Sequence, residues 1–267
     1  MNKDLTYLTK LLFLSFFISC DSPTEEIPLE YPQSMEIFDQ STLDKFAQKG
    51  YEVINGDLFL YNIEDISTLH SIRKINGNLI ISSTNLKSLY GLHNLQKIGN
   101  DLTITWNKNL NDISALSNID SLHGELSIEG QSTLQNLQGF DNLSYIGENI
   151  ILANNGFEFL EGFESLKRIN GTLEISTNEK LQEINGFKAL EKINVSLKIE
   201  WNSELRSIEG LNNLESLNYG IIYIEHNHKL SNFCGLQQIK NFIMTPIIEN
   251  NLFNPTIEDI KAGRCKP

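Results

Sequence analysis

The stretch Ile193 to Ser216, INVSLKIEWNSELRSIEGLNNLES, holds the pattern from which the rest of the chain is built. The residues before it, Ile169 to Lys192 (INGTLEISTNEKLQEINGFKALEK), repeat its apolar spacing. Both follow I-x-x-x-L-x-I-x-x-N-x-x-L-x-x-I-x-G-(L/F)-x-x-L-x-x over 24 residues. The template also fits Ile75 to Lys97, Ile98 to Ser121, Leu122 to Tyr145, Ile146 to Arg168 and, with one residue inserted near Gly220, Leu217 to Lys240. Ile54 to Lys74 is a shortened copy without the Asn. Such a period marks a solenoid, in which one repeat cannot bury its apolar face alone and must stack on its neighbours. About eight stacked turns in a single domain are expected.

Within a unit, Leu197-Lys198-Ile199 alternates apolar, polar, apolar, as do Leu173-Glu174-Ile175 and Leu102-Thr103-Ile104. That is the period of a strand with one buried face, so one short strand per unit is expected. Strands that recur after a full circuit run the same way and pair in parallel. The remaining apolar positions, such as Leu205, Ile208, Leu211 and Leu214, fall three apart and point inward from the other sides of the coil. Each buried Leu or Ile stabilises by roughly 1.5 to 3 kcal/mol, which offsets the ordering of the loops. Asn107, Asn155, Asn178, Asn202 and Asn227 recur three residues after the strand. An Asn column at a bend is expected to be a structural ladder that satisfies backbone groups the bend leaves unpaired, rather than a ligand site.

At the N-terminus, Lys3 and Lys10 precede the apolar run Leu11 to Ile18 and then Ser19-Cys20. The run is too short to span a bilayer and has the layout of a secretory signal. Phe17-Ile18-Ser19-Cys20 resembles a bacterial lipobox, which would lipidate Cys20 after removal of residues 1–19 and anchor the protein to a membrane; an ordinary signal peptide cut nearby is the alternative. Residues 20–40 are expected to hold the lipidated Cys and an acidic, proline-containing tether, and residues 41–265 the solenoid. The formal charge of −13 becomes −14 once Lys3, Asp4 and Lys10 are removed. That sign disfavours nucleic acid as a partner.

Ser41 to Ala47 reads as a short capped helix that places Leu43 and Phe46 over the first coil. Asn254 to Gly263 reads as a second helix covering the last coil. With Cys20 lipidated, Cys234 and Cys265 remain, and in an exported protein they suggest a disulfide that ties the C-terminal cap to the last turn. Two buried free thiols are the alternative. The Asn-Gly pairs at Asn55, Asn76 and Asn170 would ordinarily signal hairpins, but here they recur once per turn and read as corners.

The motif L-x-I-x-x-N-x-x-L-x-x-I-x-G-L-x-x-L, the opening segment Leu43 to Tyr51 and the Cys234/Cys265 cap together resemble the receptor L-domain family, over about Ser41 to Cys265. That family is named for the ligand-binding domains of insulin and epidermal growth factor receptors and also occurs in exported bacterial lipoproteins. The resemblance implies an all-β, right-handed parallel solenoid related to leucine-rich repeats, with short helical caps, and a binding rather than a catalytic role. No ligand-contact residue transfers with it, nor does growth-factor binding.

The strands present Phe59, Ile80, Thr103, Ser127, Ile151, Glu174, Lys198 and Tyr223 outward, one per turn, with Glu200 and Glu225 in the next column and Trp106, Trp201 and His226 at the strand ends. Trp106, Glu174, Lys198, Glu200, Trp201, Tyr223, Glu225 and His226 are the candidate binding face, suited to a protein or glycan partner. A solvated sheet face with scattered aromatics is the plain alternative. Glu200 and Glu225 would stand about 5 Å apart by strand spacing, near the carboxylate separation of a retaining glycosidase, but any equivalent pair in a solenoid shares that spacing. Glu225-His226-Asn227-His228 has too few ligands to indicate a metal site. No metal, cofactor or catalysis is expected. The expected function is a binding or adhesion module at the outer membrane or cell surface, rather than one facing the periplasm, with a non-catalytic glycan-binding lipoprotein and a polysaccharide hydrolase as alternatives.

Overall fold

The computed structural model describes residues 27–240 and 242–267. The expected signal segment 1–19, the expected lipidation site Cys20 and the first part of the expected tether lie outside the described residues. The remainder winds into an all-β parallel solenoid. Its main sheet has ten strands in chain order: β1 (Met35–Ile37), β2 (Leu58–Tyr61), β3 (Leu79–Ser82), β4 (Leu102–Thr105), β5 (Leu126–Glu129), β6 (Ile150–Ala153), β7 (Leu173–Ser176), β8 (Leu197–Glu200), β9 (Ile222–Glu225) and β10 (Ile247–Glu249). Each pairs in parallel with the next, in a register that keeps the repeat in step, as in Leu173 opposite Leu197 and Ile175 opposite Ile199. The leucines and isoleucines of the L-x-I pattern point into one continuous core that runs from Ile37 to Cys265.

Two sequence expectations are corrected here. The main sheet has ten strands where eight turns were expected, because β1 and β10 lie beyond the readable repeats. The solenoid therefore starts within the segment assigned to the tether: Glu30–Tyr31 pairs with Val53–Ile54, and β1 pairs with β2. Leu43 follows β1 at the template's spacing but no Gly does, and β10 is followed by neither, so each copy is too incomplete to read as a repeat. The second correction concerns strand number, since most units contribute two strands. A two-residue strand at the start of each unit, such as Lys74–Ile75 or Lys192–Ile193, builds a second parallel face. Two residues cannot display an alternation, which hides these strands from periodicity.

The third side is made mostly of short 3₁₀ turns, among them Gln138–Phe140 and Glu209–Leu211, with Phe159–Leu160 and Glu183–Ile184 pairing as short parallel strands in the turns between. Inside it Phe140, Phe163 and Phe187 stack with ring centroids 5.6 and 5.0 Å apart, nearly parallel. Asn55-Gly56 joins Val53–Ile54 to β2 and is a corner, since both flanking strands pair in parallel with other turns.

Helix α1 (Gln40–Ala47) buries Leu43 and Phe46 at the N-terminal end. Its cap is Asp39 rather than Ser41, and the Asp39 carboxylate accepts from the Thr42 backbone N–H and hydroxyl. At the other end, α2 (Ile257–Lys261) starts from a capping box formed by Thr256 and Asp259 and buries Ile260. Cys234 and Cys265 form a disulfide that spans 31 residues and ties the chain after α2 to the last turn.

Candidate binding face

After each main-sheet strand from β2 onward the chain leaves the sheet through one residue with positive φ. In successive turns from β2 to β10 this position holds Asn62, Ser83, Trp106, Gly130, Asn154, Thr177, Trp201, His226 and Asn250. A single left-handed residue turns the backbone sharply enough to send it to the next side of the coil, and small polar residues or Gly tolerate it best. Trp106 at φ 58°, Trp201 at φ 60° and His226 at φ 59° place bulky rings there instead.

The bend leaves strand-end backbone groups without lateral partners, and the Asn column supplies them. Asn202 Oδ1 accepts from the Asn178 backbone N–H at 3.0 Å, and its Nδ2 donates to the Ile175 carbonyl at 2.9 Å. Asn107, Asn155, Asn178 and Asn227 make equivalent bonds and are buried. The ladder also contains Thr84, Gln131 and Asn251, which the Asn pattern alone missed. Each stands three residues after an inward Ile, so the signal was a hydrogen-bonding side chain of any kind at that register. The Gln131 side chain is one methylene too long: its Nε2 reaches the Ile104 carbonyl, while its Oε1 is buried without a partner.

The ladder anchors the bend residues, whose side chains project outward. Trp106 and Trp201 are 58 % and 54 % exposed. Trp201 stacks on His226 of the following turn, with centroids 3.9 Å apart and planes within 12° of parallel. The Trp106 ring lies over Gly130, where a Cβ would come within 2.5 Å of Cε3, so the missing side chain makes room for the indole. β4 and β8 are four places apart in the sheet, which separates the two tryptophans by roughly 19 Å at ordinary strand spacing. The structure thus does not bring them together on one small ligand.

Alongside Trp201, Glu200, Glu225 and Glu249 occupy one column on β8, β9 and β10. Burial, then the like charges of Glu249 and Glu200, push the Glu225 carboxyl above the usual glutamate range. Sequence reading had the first two members but not Glu249, whose strand lay beyond the repeats. In the neighbouring column Lys198 stands between Glu174 and Tyr223, and its Nζ is 3.9 Å from the Glu174 carboxylate. Ser127, expected on the outer surface, is buried, and its hydroxyl donates to Glu129 at 2.7 Å. At the N-terminal end of the face Phe38 stacks on Tyr61 at 5.3 Å.

Asn227 faces the ladder, not solvent, and so is withdrawn from the Glu225 to His228 cluster. Among the described residues no group of three His, Cys, Asp or Glu side chains is placed to hold a metal ion, and no helix is long and apolar enough to cross a membrane. A depression of about 700 Å³ lies at the C-terminal end between the Phe242–Pro246 loop and α2, away from the sheet face.

Two comparisons bear on this geometry. No curated protein matches the chain. A family model described as Receptor L domain matches residues 96–156, which hold three of the ten main-sheet strands, β4 to β6, together with Trp106 and Asn107; the match points to a binding module built on a parallel solenoid.

Proposed function

We propose that this chain is the binding part of an exported lipoprotein, held by lipid on Cys20 at the outer membrane or cell surface, where it presents the main-sheet face to a macromolecular partner in adhesion or envelope organisation. The observation that carries the reading is the placement of Trp106 and Trp201. Both put a bulky, half-exposed indole on a left-handed bend that, His226 apart, the other turns fill with Asn, Ser, Thr or Gly. A bulky residue there costs on the order of 1–3 kcal/mol of backbone strain. The core gains little from either ring, and exposed aromatics are the side chains on which partners gain most binding energy. The Receptor L domain match supports the same class of function.

The raised Glu225 beside Glu200 favours one second reading, a glycosidase acid and base pair. Against it, the carboxylate column continues into Glu249, as a repeat-built charge cluster would.

Protease treatment of intact cells tests the first reading. Release of the solenoid from cells carrying the native protein, and its presence in the soluble fraction with Cys20→Ser, is the expected result. Protection until the cells are permeabilised would overturn the surface placement. Incubation with polysaccharides tests the second reading, which requires new reducing ends that disappear with Glu200→Gln.

A further inference from the structure

The two faces of the Trp201 ring are not equivalent. His226, which covers one of them, belongs to the next turn, so the stack runs along the rod and the ring planes stand across it. The opposite face looks back one turn, toward the bend at Thr177, a small exposed residue. One open indole face is therefore held rigid by a ring behind it, with the Glu200 carboxylate on the adjoining residue.

Charge selects what that face can take. The outward residues of the ten main-sheet strands include Glu36, Glu129, Glu174, Glu200, Glu225 and Glu249 but one permanent cation, Lys198, which already lies beside Glu174. Glu225 stands between Glu200 and Glu249 in one column, and after burial these like charges help to push its carboxyl upward. An anionic partner would be repelled, and an uncharged one would leave the field as it is. A planar cation would relieve it.

We infer that the Trp201 face seats an arginine side chain from a basic protein segment. The guanidinium lies flat on the open indole, and its N–H groups donate to Glu200. Arginine fits better than lysine because a delocalised planar cation can stack and donate at the same time, and is the more weakly hydrated of the two. Glu225 and Glu249 are left to pair with further basic residues of the same segment as it runs along the rod. This identification of the partner rests on the binding-module reading above and narrows it.

Calorimetric titration of the full chain with an acetylated, amidated tetra-arginine peptide tests the inference, beside peptides in which every arginine is replaced by lysine or by citrulline. The variant is Trp201→Asn, chosen because Asn154 occupies the equivalent bend, so the backbone is accommodated. Saturable binding is expected for the arginine peptide, weaker for lysine and lost for citrulline, weakening with added salt. Trp201→Asn and Glu200→Gln should each lower the affinity about tenfold. Equal binding of the arginine peptide by native protein and Trp201→Asn would overturn the seat. Binding of neutral glycans on an array, sensitive to Trp201→Asn while the peptide is ignored, would overturn the arginine assignment but keep the binding module. If neither probe binds and the Trp201→Asn and Glu200→Gln chains retain as much envelope protein as the native chain, the binding-module reading falls as well.

Discussion

Asn202 satisfies the Asn178 N–H and Ile175 carbonyl of the preceding turn and the Glu200 carbonyl of its own, and this explains why the position is polar in an apolar coil. Asn202→Ala would orphan the Asn178 N–H and the Ile175 carbonyl inside the core, and is expected to destabilise the fold by about 3 kcal/mol. Gln131→Asn should act in the opposite direction by about 1 kcal/mol, because a shorter side chain puts its oxygen where the other turns have an acceptor. Denaturant midpoints of the two variants check both signs, and a loss of stability in Gln131→Asn would contradict the ladder geometry. Glu225 adds a pH dependence. Its folded pKa is raised, so the folded state binds the proton more tightly than the unfolded chain does. Stability therefore falls as pH rises from the ordinary glutamate value through the raised one, and the loss is complete above it. Glu225→Gln is expected to melt higher than the native protein at neutral pH and to melt with it in acid below the glutamate range. Coincident melts at both values would show that the repulsion is absent.

At the scale of elements, the Gly of the template is a matter of space. A Cβ on Gly210 would lie 2.3 Å from the Ile184 carbonyl oxygen of the turn before. Ala115 holds the same place in another turn and is accommodated there, so the requirement is local. Gly210→Ala should cost about 1–3 kcal/mol by pushing two turns apart, read as a lower melting temperature; a neutral change would mean that the turns can give. The N-terminal helix shows how a correct motif can be placed in the wrong frame. Ser41 with Asp44 three positions on matches a capping box, yet Asp39 is the cap, because its carboxylate reaches both the Thr42 N–H and hydroxyl while Asp44 accepts from Gln40. Both frames offer an oxygen at the right spacing, and backbone direction decides between them.

Across the whole molecule, stability runs along a stack of neighbours, so the ends matter most. The Cys234–Cys265 bridge holds the C-terminal end, where α2 and β10 close the core. Reduction of the bridge, or Cys265→Ser, is expected to cost about 2–4 kcal/mol. Hydrogen exchange should speed up first in residues 247–262, ahead of the central turns. Exchange that rises evenly along the rod would mean that the end is not the weak point. The same linear build spreads the sheet face over ten turns, roughly 43 Å from first to last strand at ordinary spacing, which suits an extended partner better than an enclosed ligand.

The amino-acid sequence alone determined the parallel solenoid, the inward Leu and Ile columns, the Asn register and the outward position of Trp106 and Trp201, because all of these follow from a repeat whose period is set by one circuit of chain. Only the tertiary structure decided where the stack begins and ends, which oxygen caps α1, that the indoles sit on left-handed bends, and that Trp201 is covered on one side by His226 and joined by Glu249 in its acidic column. The reason is physical. Periodicity reports which way a side chain points, whereas a stacked ring, a crowded Cβ or a third carboxylate depends on which residue the next turn brings alongside, about 24 positions away in the chain.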